Sequence, residues 1–360
     1  MNTKLTIKGS KSISIRAIFL SYLAERETGK KSKISNTSDC EDAKITQKAI
    51  DEISKNKTKI NLKDCGTAYR FFTALKHIDK QNLRIEGSKK LLSRPIKELE
   101  KSIIEIKKTG KSNIKGNISS QFISAILITA PLLKKNIELV VTKPIFSRPY
   151  IDITVKLMKK FGIKVKEREN KKSSIFTIRK NQRYKPANIE IEPEIMSLYY
   201  IIALMKLKNK SRKDFLPIIK EIKKAKLQKD ATKIKIIDQN TFDMNMSPDL
   251  VPTYAILAAQ LPQKTKIINI EHLKLKESDR IESLASNLRK IGVKVKTGKS
   301  FIEIQGPCSI KRKTIINPEK DHRIAMAFGI LSRINNLIEI KDKAVVKKSY
   351  PGFWKDITKI

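Results

Sequence analysis

The residues able to do chemistry in this chain gather at the starts of helical patterns. The first string is Gly9-Ser10-Lys11-Ser12-Ile13-Ser14-Ile15-Arg16. A β-like run, Leu5 to Lys8, leads into it, and an apolar helical pattern (Ala17, Leu20 and Ala24 with Ile13, Phe19 and Leu23) leads out. Lys11, the serines and Arg16 therefore stand at a strand-to-helix junction. Unpaired backbone N–H groups and the positive end of the helix dipole favour an anion there. Arginine is the sharper signal in a lysine-rich chain. Arg16, Arg70, Arg94 before Pro95, Arg148 before Pro149, Arg280 and Arg323 all stand near helix starts. A guanidinium gives two parallel hydrogen bonds to a phosphate or carboxylate, which Lys cannot match. Any one of them alone reads as a surface ion pair worth ~0–1 kcal/mol. The set, at repeated positions, points to ligand binding.

Ser119-Ser120-Gln121 heads the pattern that continues Phe122-Ile123-Ser124-Ala125. One serine there is explained as a helix cap; a second serine and Gln121 add hydrogen-bonding groups at an anion-attracting end. Ser147, with Pro149 just inside its helix and Gly162 past the end, repeats the arrangement. Gly66-Thr67, after Cys65, is another small-residue helix start where backbone can approach a ligand. The carboxylates come later: Asp249 after Ser247-Pro248, then Lys276-Glu277-Ser278-Asp279-Arg280, then Asp321-His322-Arg323. Asp249 reads equally well as a cap, and the polar run before Ile281 as a solvated first turn. No Gly-x-Gly-x-x-Gly or Walker sequence occurs, so a nucleotide cofactor is not indicated. Three widely spaced cysteines (Cys40, Cys65, Cys308) and three histidines argue against a disulfide framework or a zinc site, and for a reducing compartment.

The elements that must position these residues follow a repeat. Lys159-Lys160-Phe161-Gly162-Ile163-Lys164-Val165-Lys166 matches Arg289-Lys290-Ile291-Gly292-Val293-Lys294-Val295-Lys296, each a helix end, a Gly at C′ and an alternating strand. Each is followed by a second strand, Ser174–Ile178 and Ser300–Ile304. Upstream, Asn117–Gln121 stands near the same offset from Asn245–Asp249; downstream, Glu192-Pro193-Glu194 and Asn317-Pro318-Glu319 both precede a helix. Helical patterns fall at about 12–25, 42–53, 66–78, 94–106, 120–132, 148–161, 195–207, 248–260, 278–291 and 321–332, with short strands between them. The class is α/β, and 360 residues suit two domains. Residues 207–239 are dense in Lys and show no clear period. The formal net charge is +41, which suggests nucleic acid. Against that, the lysines are scattered through every kind of element, and Lys, Ile and Asn share A/T-rich codons. Aromatic residues are only 6%, sparse for base stacking, so specific nucleic-acid binding is not expected. The longest apolar run, Phe122 to Leu133, is too short to span a bilayer, and no signal peptide is visible.

Taken together, in order, these strings resemble the 5-enolpyruvylshikimate-3-phosphate synthase family (3-phosphoshikimate 1-carboxyvinyltransferases). The match runs through Gly9-Ser10-Lys11-Ser12 with Arg16, Gly66-Thr67-Ala68 with Arg70, Arg94-Pro95-Ile96, Ser119-Ser120-Gln121-Phe122 and Ser147-Arg148-Pro149-Tyr150-Ile151-Asp152. It continues through Pro248-Asp249, Lys276–Arg280, Asp321-His322-Arg323 and Lys348-Ser349-Tyr350-Pro351. The resemblance implies an α/β fold, a two-domain inside-out α/β barrel of the enolpyruvyl transferase kind, with three βαβαββ repeats per domain. It implies a C-terminal domain of residues 1–10 and 191–360, an N-terminal domain of 11–190, and an active site in the cleft between them. The implied reaction moves the carboxyvinyl group of phosphoenolpyruvate to the 5-hydroxyl of shikimate 3-phosphate.

By the same resemblance Asp249 and Glu277 carry proton transfers, with Lys11 between the two substrates. Ser12 and Arg16 hold the shikimate carboxylate. Ser119, Ser120, Ser147 and Lys276 hold its phosphate, and Gln121 and Tyr150 flank the ring. Arg94, Arg280, Arg323 and Lys348 take phosphoenolpyruvate, with Gly66 and His322 beside them. Asp64 and His272 stand among the substrate contacts where the family often has Asn. No metal or organic cofactor, no membrane and no specific nucleic acid is implied; a cytoplasmic monomer acting on small molecules is. The enolpyruvyl transferase acting on UDP-N-acetylglucosamine shares the fold, but typically has Lys-Asn in place of Lys11-Ser12 and a loop cysteine that none of the three here matches. RNA 3′-phosphate cyclases share the architecture but use a nucleotide and a His nucleophile. Glu194-Ile195-Met196 replaces the usual small-residue run and the chain is shorter than typical members, so an eroded, low-activity relative is the alternative.

Overall fold

The computed structural model describes residues 7–79, 82–228 and 240–360. The chain divides into two compact units, Gly9–Glu192 and Pro193–Ile360 with the residues up to Lys8. Within the first, the Ser10 N–H donates to Glu192 O at 2.7 Å; within the second, the Glu194 N–H donates to Lys8 O at 3.0 Å. Of the strand expected over Leu5–Lys8, Leu5 and Thr6 lie outside the described residues, and Ile7 and Lys8 are not in a strand.

In the unit Gly9–Glu192, the helices Lys11–Thr28, Gly66–Asp79 and Ser120–Thr129 are buried on nearly every side. From Ile13 to Ala24 only Ser21 reaches beyond the interior. A helix that is apolar all round has to lie inside. Phe19 shows why: it is fully enclosed and meets Phe71 and Phe72 edge-on at ring distances of 5.5 and 5.2 Å, a burial worth ~2–3 kcal/mol. The helices Glu41–Ser54, Lys97–Thr109 and Arg148–Lys160 are amphipathic. They bury stripes such as Leu99, Ile103 and Ile106, or Ile151, Thr154 and Met158, at helical spacing.

The unit Pro193–Ile360 repeats the plan. Val251–Ala258 and His322–Leu331 are its fully buried helices, Ile195–Leu207 is buried from Ile195 to Met205, and Arg280–Lys290 is amphipathic. No helix among the described residues is long and apolar enough to cross a membrane.

The repeat visible in the sequence is a repeat in space. Strands Lys111–Lys115 and Ile137–Thr142 pair in parallel; Ser173–Ile178 joins antiparallel, and Val165–Glu169 closes the edge. Strands Thr241–Asp243, Lys264–Ile268, Phe301–Gln305 and Lys294–Thr297 take the same order and directions. Each four-stranded sheet comes from one βαβαββ stretch. The turn glycines Gly162 and Gly292 have φ of 88° and 79°, the left-handed conformation that ends a helix and that only Gly adopts without cost. Elsewhere among the described residues the strands pair two by two, all in parallel: Lys33–Ser35 with Asn188–Glu190, Lys59–Asn61 with Arg84–Glu86, and Thr314–Ile316 with Ile338–Ile340.

Within 207–239, where the sequence shows no period, Arg212–Lys224 is a helix headed by a Ser211/Asp214 capping box. Ile218 and Ile222 are buried along it. The interior Pro217 disguises the pattern, because Pro reads as a helix breaker. Residues 229–239 lie outside the described residues.

Candidate active site

In each unit the buried helices carry polar residues at their N-termini, and those ends touch. In the unit Gly9–Glu192, Gln121 at the start of Ser120–Thr129 donates from Nε2 to Thr67 Oγ1 at 3.2 Å, at the start of Gly66–Asp79. Ser119 caps its helix by accepting the Gln121 N–H at 3.2 Å, and Ser120 is 6% exposed. Ser147, directly before Arg148–Lys160, is buried and held at φ 55°, ψ 37°, a left-handed conformation that a serine adopts only when its surroundings impose it. Lys11 Nζ donates to Asp42 Oδ2 at 3.2 Å, with side-chain exposures of 12% and 6%.

Arg16 and Arg94 of this unit show no acidic partner among the described residues. Arg16 is 1% exposed. It donates from Nε to Thr154 Oγ1 (2.7 Å), from Nη1 to Ser12 O (2.9 Å) and from Nη2 to Ser124 Oγ (3.3 Å). It also lies over the rings of Phe71 and Tyr150, at 5.6 and 6.0 Å. Burial pulls its pKa down to about 10, only partly offset by Tyr150. Arg94 packs across the start of Gly66–Asp79: a Cβ on Gly66 would meet Arg94 Nη1 at 2.5 Å and Arg70 Nη1 at 3.0 Å. The Arg94 Nε is buried without a hydrogen-bond partner. Cationic groups enclosed without counter-ions are unfavourable in isolation, and an incoming anion supplies what they lack.

The unit Pro193–Ile360 concentrates carboxylates instead. Arg280, 1% exposed, is gripped by three of them: Asp249 Oδ1 at 3.0 Å from Nη1, Glu277 Oε2 at 2.8 Å from Nη2 and Asp321 Oδ2 at 2.9 Å from Nε. Burial opposes its charge, yet Asp321, Glu277 and Asp249 together raise its pKa above the ordinary guanidinium value. Asp249 is shared, its Oδ2 accepting from Arg323 Nη2 at 3.2 Å. Asp249 sits in the 3₁₀ turn Pro248–Leu250 leading into Val251–Ala258, and Arg323 on the first turn of His322–Leu331, which Asp321 caps. Lys276 has its pKa lowered by burial and by Arg280 and Arg323, against the pull of Asp249 and Glu277. His272 is held neutral, its pKa pushed to about 3 by burial and Lys276. His322 and Lys348 are buried in the same unit.

A model of the family described as EPSP synthase (3-phosphoshikimate 1-carboxyvinyltransferase) matches residues 50–357. The chain belongs to that family. A relative named 3-phosphoshikimate 1-carboxyvinyltransferase, from Buchnera aphidicola subsp. Cinara cedri, is 32% identical over 99% of this chain and 94% of its own length. One of the same name from Clostridium perfringens is 31% identical over 97% and 94%. Among solved structures, an EPSP synthase from Acinetobacter baumannii superposes with a TM-score of 0.68 at 18% identity, covering 99% of this chain and 94% of that one. The enolpyruvyl transferase NikO from Streptomyces tendae gives 0.55 at 11%, over 98% and 93%. These structural likenesses show the fold.

Within the family site as read from sequence, the structure groups the residues by unit. Lys11, Ser12, Arg16, Gly66, Arg94, Ser119, Ser120, Gln121, Ser147 and Tyr150 belong to Gly9–Glu192; Asp249, His272, Lys276, Glu277, Arg280, His322, Arg323 and Lys348 belong to Pro193–Ile360. Asp64, two residues before Gly66, is exposed and accepts the Ser88 hydroxyl. Two of the helix-start arginines have other work. Arg148 pairs with Asp152 at 2.7 Å and Glu167 at 2.6 Å. Arg70 returns to its own helix, donating to Gly66 O at 3.1 Å. Sequence reasoning overlooked Asp42, which reads as an ordinary first-turn acid of Glu41–Ser54, and Ser124 and Thr154, which look like interruptions of apolar stripes. The last two carry a weak signal: a hydroxyl inside a buried helix face needs a polar partner.

Proposed function

We propose that this chain transfers the carboxyvinyl group of phosphoenolpyruvate to the 5-hydroxyl of shikimate 3-phosphate and releases phosphate. One observation inside the molecule supports the reading most: acid-free guanidinium groups in one unit, and carboxylates assembled on a buried arginine in the other. The first arrangement suits substrates that are themselves anions. The second suits proton traffic.

In the addition step the 5-hydroxyl oxygen bonds to C2 of phosphoenolpyruvate, the hydroxyl proton leaves and the methylene carbon gains one. In the elimination the resulting methyl group gives a proton back and the bond from C2 to the phosphate oxygen breaks, leaving an enol ether and inorganic phosphate. We assign these proton transfers to Asp249 and Glu277, whose side chains keep 19% and 14% exposure and so remain within reach of a substrate; groups in such roles contribute ~10²–10⁴ in rate. Lys11 stands between the substrates. Ser12 and Arg16 take the shikimate carboxylate; Ser119, Ser120, Ser147 and Lys276 take the 3-phosphate; Gln121, Tyr150 and His272 flank the ring. Arg94, Arg280, Arg323 and Lys348 take phosphoenolpyruvate, with Asp64, Gly66 and His322 beside it. The chemistry is acid–base throughout and calls for no cofactor. The same reading makes the chain a cytoplasmic monomer, checked by sedimentation and fractionation.

The test is mass spectrometry of a reaction holding both substrates. The reading expects shikimate 3-phosphate to gain a carboxyvinyl group and the gain to be absent when phosphoenolpyruvate is omitted. A folded chain that forms no adduct would be an eroded relative.

A further inference from the structure

Asp321 stands outside the substrate ligands assigned above, yet it is the most enclosed carboxylate of its cluster, 0% exposed against 19% for Asp249 and 14% for Glu277. Its Oδ2 accepts from Arg280 Nε at 2.9 Å and from Ser278 Oγ at 3.3 Å. Its Oδ1 accepts from the Arg323 backbone N–H at 2.8 Å and from Arg280 Nη2 at 3.4 Å. We propose that Arg280 has one permanent counter-ion, Asp321, and two exchangeable ones, Asp249 and Glu277, so that Asp321 is a positioning residue that sets how readily those two take up a proton. The proposal rests on the reading above for what Asp249 and Glu277 do.

Permanence follows from burial and tethering. Moving Asp321 away strands a buried charge and leaves the first turn of His322–Leu331 uncapped. Asp249 and Glu277 each meet Arg280 through one contact, on different η nitrogens, and both keep solvent access. Those two nitrogens form the fork that a substrate carboxylate prefers. When one docks there, Asp249 and Glu277 lose a cation and become stronger bases at the moment a substrate is present. Other charged or titratable groups facing the cluster include Lys276, His272, Arg323 and, from Ile195–Leu207, Tyr200. His272 is neutral, and burial keeps the Tyr200 hydroxyl protonated.

Asp321→Asn keeps the shape and an acceptor but removes the charge. Arg280 then has more of its charge for Asp249 and Glu277, and a neighbouring anion is gone; both changes favour their ionised forms. Carbon-13 carboxyl titration of the unliganded protein should show both residues protonating at lower pH, by half a pH unit or more, roughly threefold in the proton affinity. The acid limb of kcat/KM should move the same way, and Asp321→Glu should return it. The titration needs no turnover, so it stands apart from whether the chain makes product. Midpoints that stay put or rise overturn the proposal. Should Asp321→Asn not fold, Ser278→Ala carries the test. It removes a neutral donor from Asp321, strengthens that carboxylate's claim on Arg280 and moves the same midpoints up; unmoved midpoints there are equally fatal.

Discussion

Replacing Arg16 by methionine separates what a guanidinium costs the fold from what it gives a substrate. The group is 1% exposed and its pKa is pulled down to about 10 by burial. Set against the ordinary guanidinium value, that corresponds to about 3 kcal/mol of unfavourable charge burial at neutral pH. The sign is fixed by linkage: the folded pKa is depressed, so the unfolded chain binds the extra proton between about pH 10 and the ordinary value. The penalty is therefore complete below pH 10 and relieved only above that window. Three hydrogen bonds oppose it, at about 1 kcal/mol each. The Thr154 and Ser124 hydroxyls stay satisfied without Arg16, because Thr154 Oγ1 donates to Ser124 Oγ at 2.9 Å.

Arg16→Met should therefore unfold within about 1 kcal/mol of the wild type, where loss of a fully buried, hydrogen-bonded side chain ordinarily costs several. Binding should tell the opposite story. Shikimate 3-phosphate at a hundredfold excess over Kd stabilises the wild type by about 2.7 kcal/mol. Losing two charge-assisted hydrogen bonds weakens Kd by a hundredfold or more, so the same concentration leaves the variant almost unstabilised. Denaturant unfolding with and without shikimate 3-phosphate reads both quantities. A variant several kcal/mol less stable, and still stabilised as much as the wild type, refutes the reasoning.

Gly66→Ala forces the Arg94 guanidinium, 2.5 Å from the new Cβ, to retreat by about 1 Å, a misplacement that costs up to ~10² in rate. Steady-state kinetics should show kcat/KM for phosphoenolpyruvate falling ~10–100-fold with Tm nearly unchanged. Arg148→Ala should do the reverse, since its partners are Asp152 and Glu167: both KM values stay, and stability drops by about 1 kcal/mol. His272 is neutral when folded and charged when unfolded below about pH 6.5. Stability should thus decline as pH falls from about 6.5 toward 3, and His272→Asn should flatten that decline in urea titrations between pH 7 and 4.

The architecture was legible where periodicity and punctuation agree. Gly162 and Gly292, 130 residues apart, each follow a basic helix end and precede an alternating strand, and the two stretches they sit in build sheets of identical order. The helix Arg212–Lys224 escaped because Pro217 interrupts its stripe. The site was legible as a series of helix starts, for a physical reason: buried helices expose their N-terminal N–H groups at one end, and small or cationic residues there stand out against apolar runs. Which arginine does what was not legible. Arg16 and Arg148 look alike in sequence, yet one is enclosed without an acid and the other carries two. That difference is set by residues far along the chain, Thr154 and Glu167, which no local spacing reveals. Asp321 is the same case: beside His322 and Arg323 it reads as a cap, and its grip on Arg280 is made across 41 residues.

Phosphate release from the purified chain, followed continuously with shikimate 3-phosphate and phosphoenolpyruvate supplied together and singly, bears most directly on the central claim. The account predicts release only with both substrates, falling ~10²–10⁴-fold in Glu277→Gln and in Asp249→Asn. Folded wild-type protein that releases none, or a Glu277→Gln variant that releases phosphate at the wild-type rate, contradicts it.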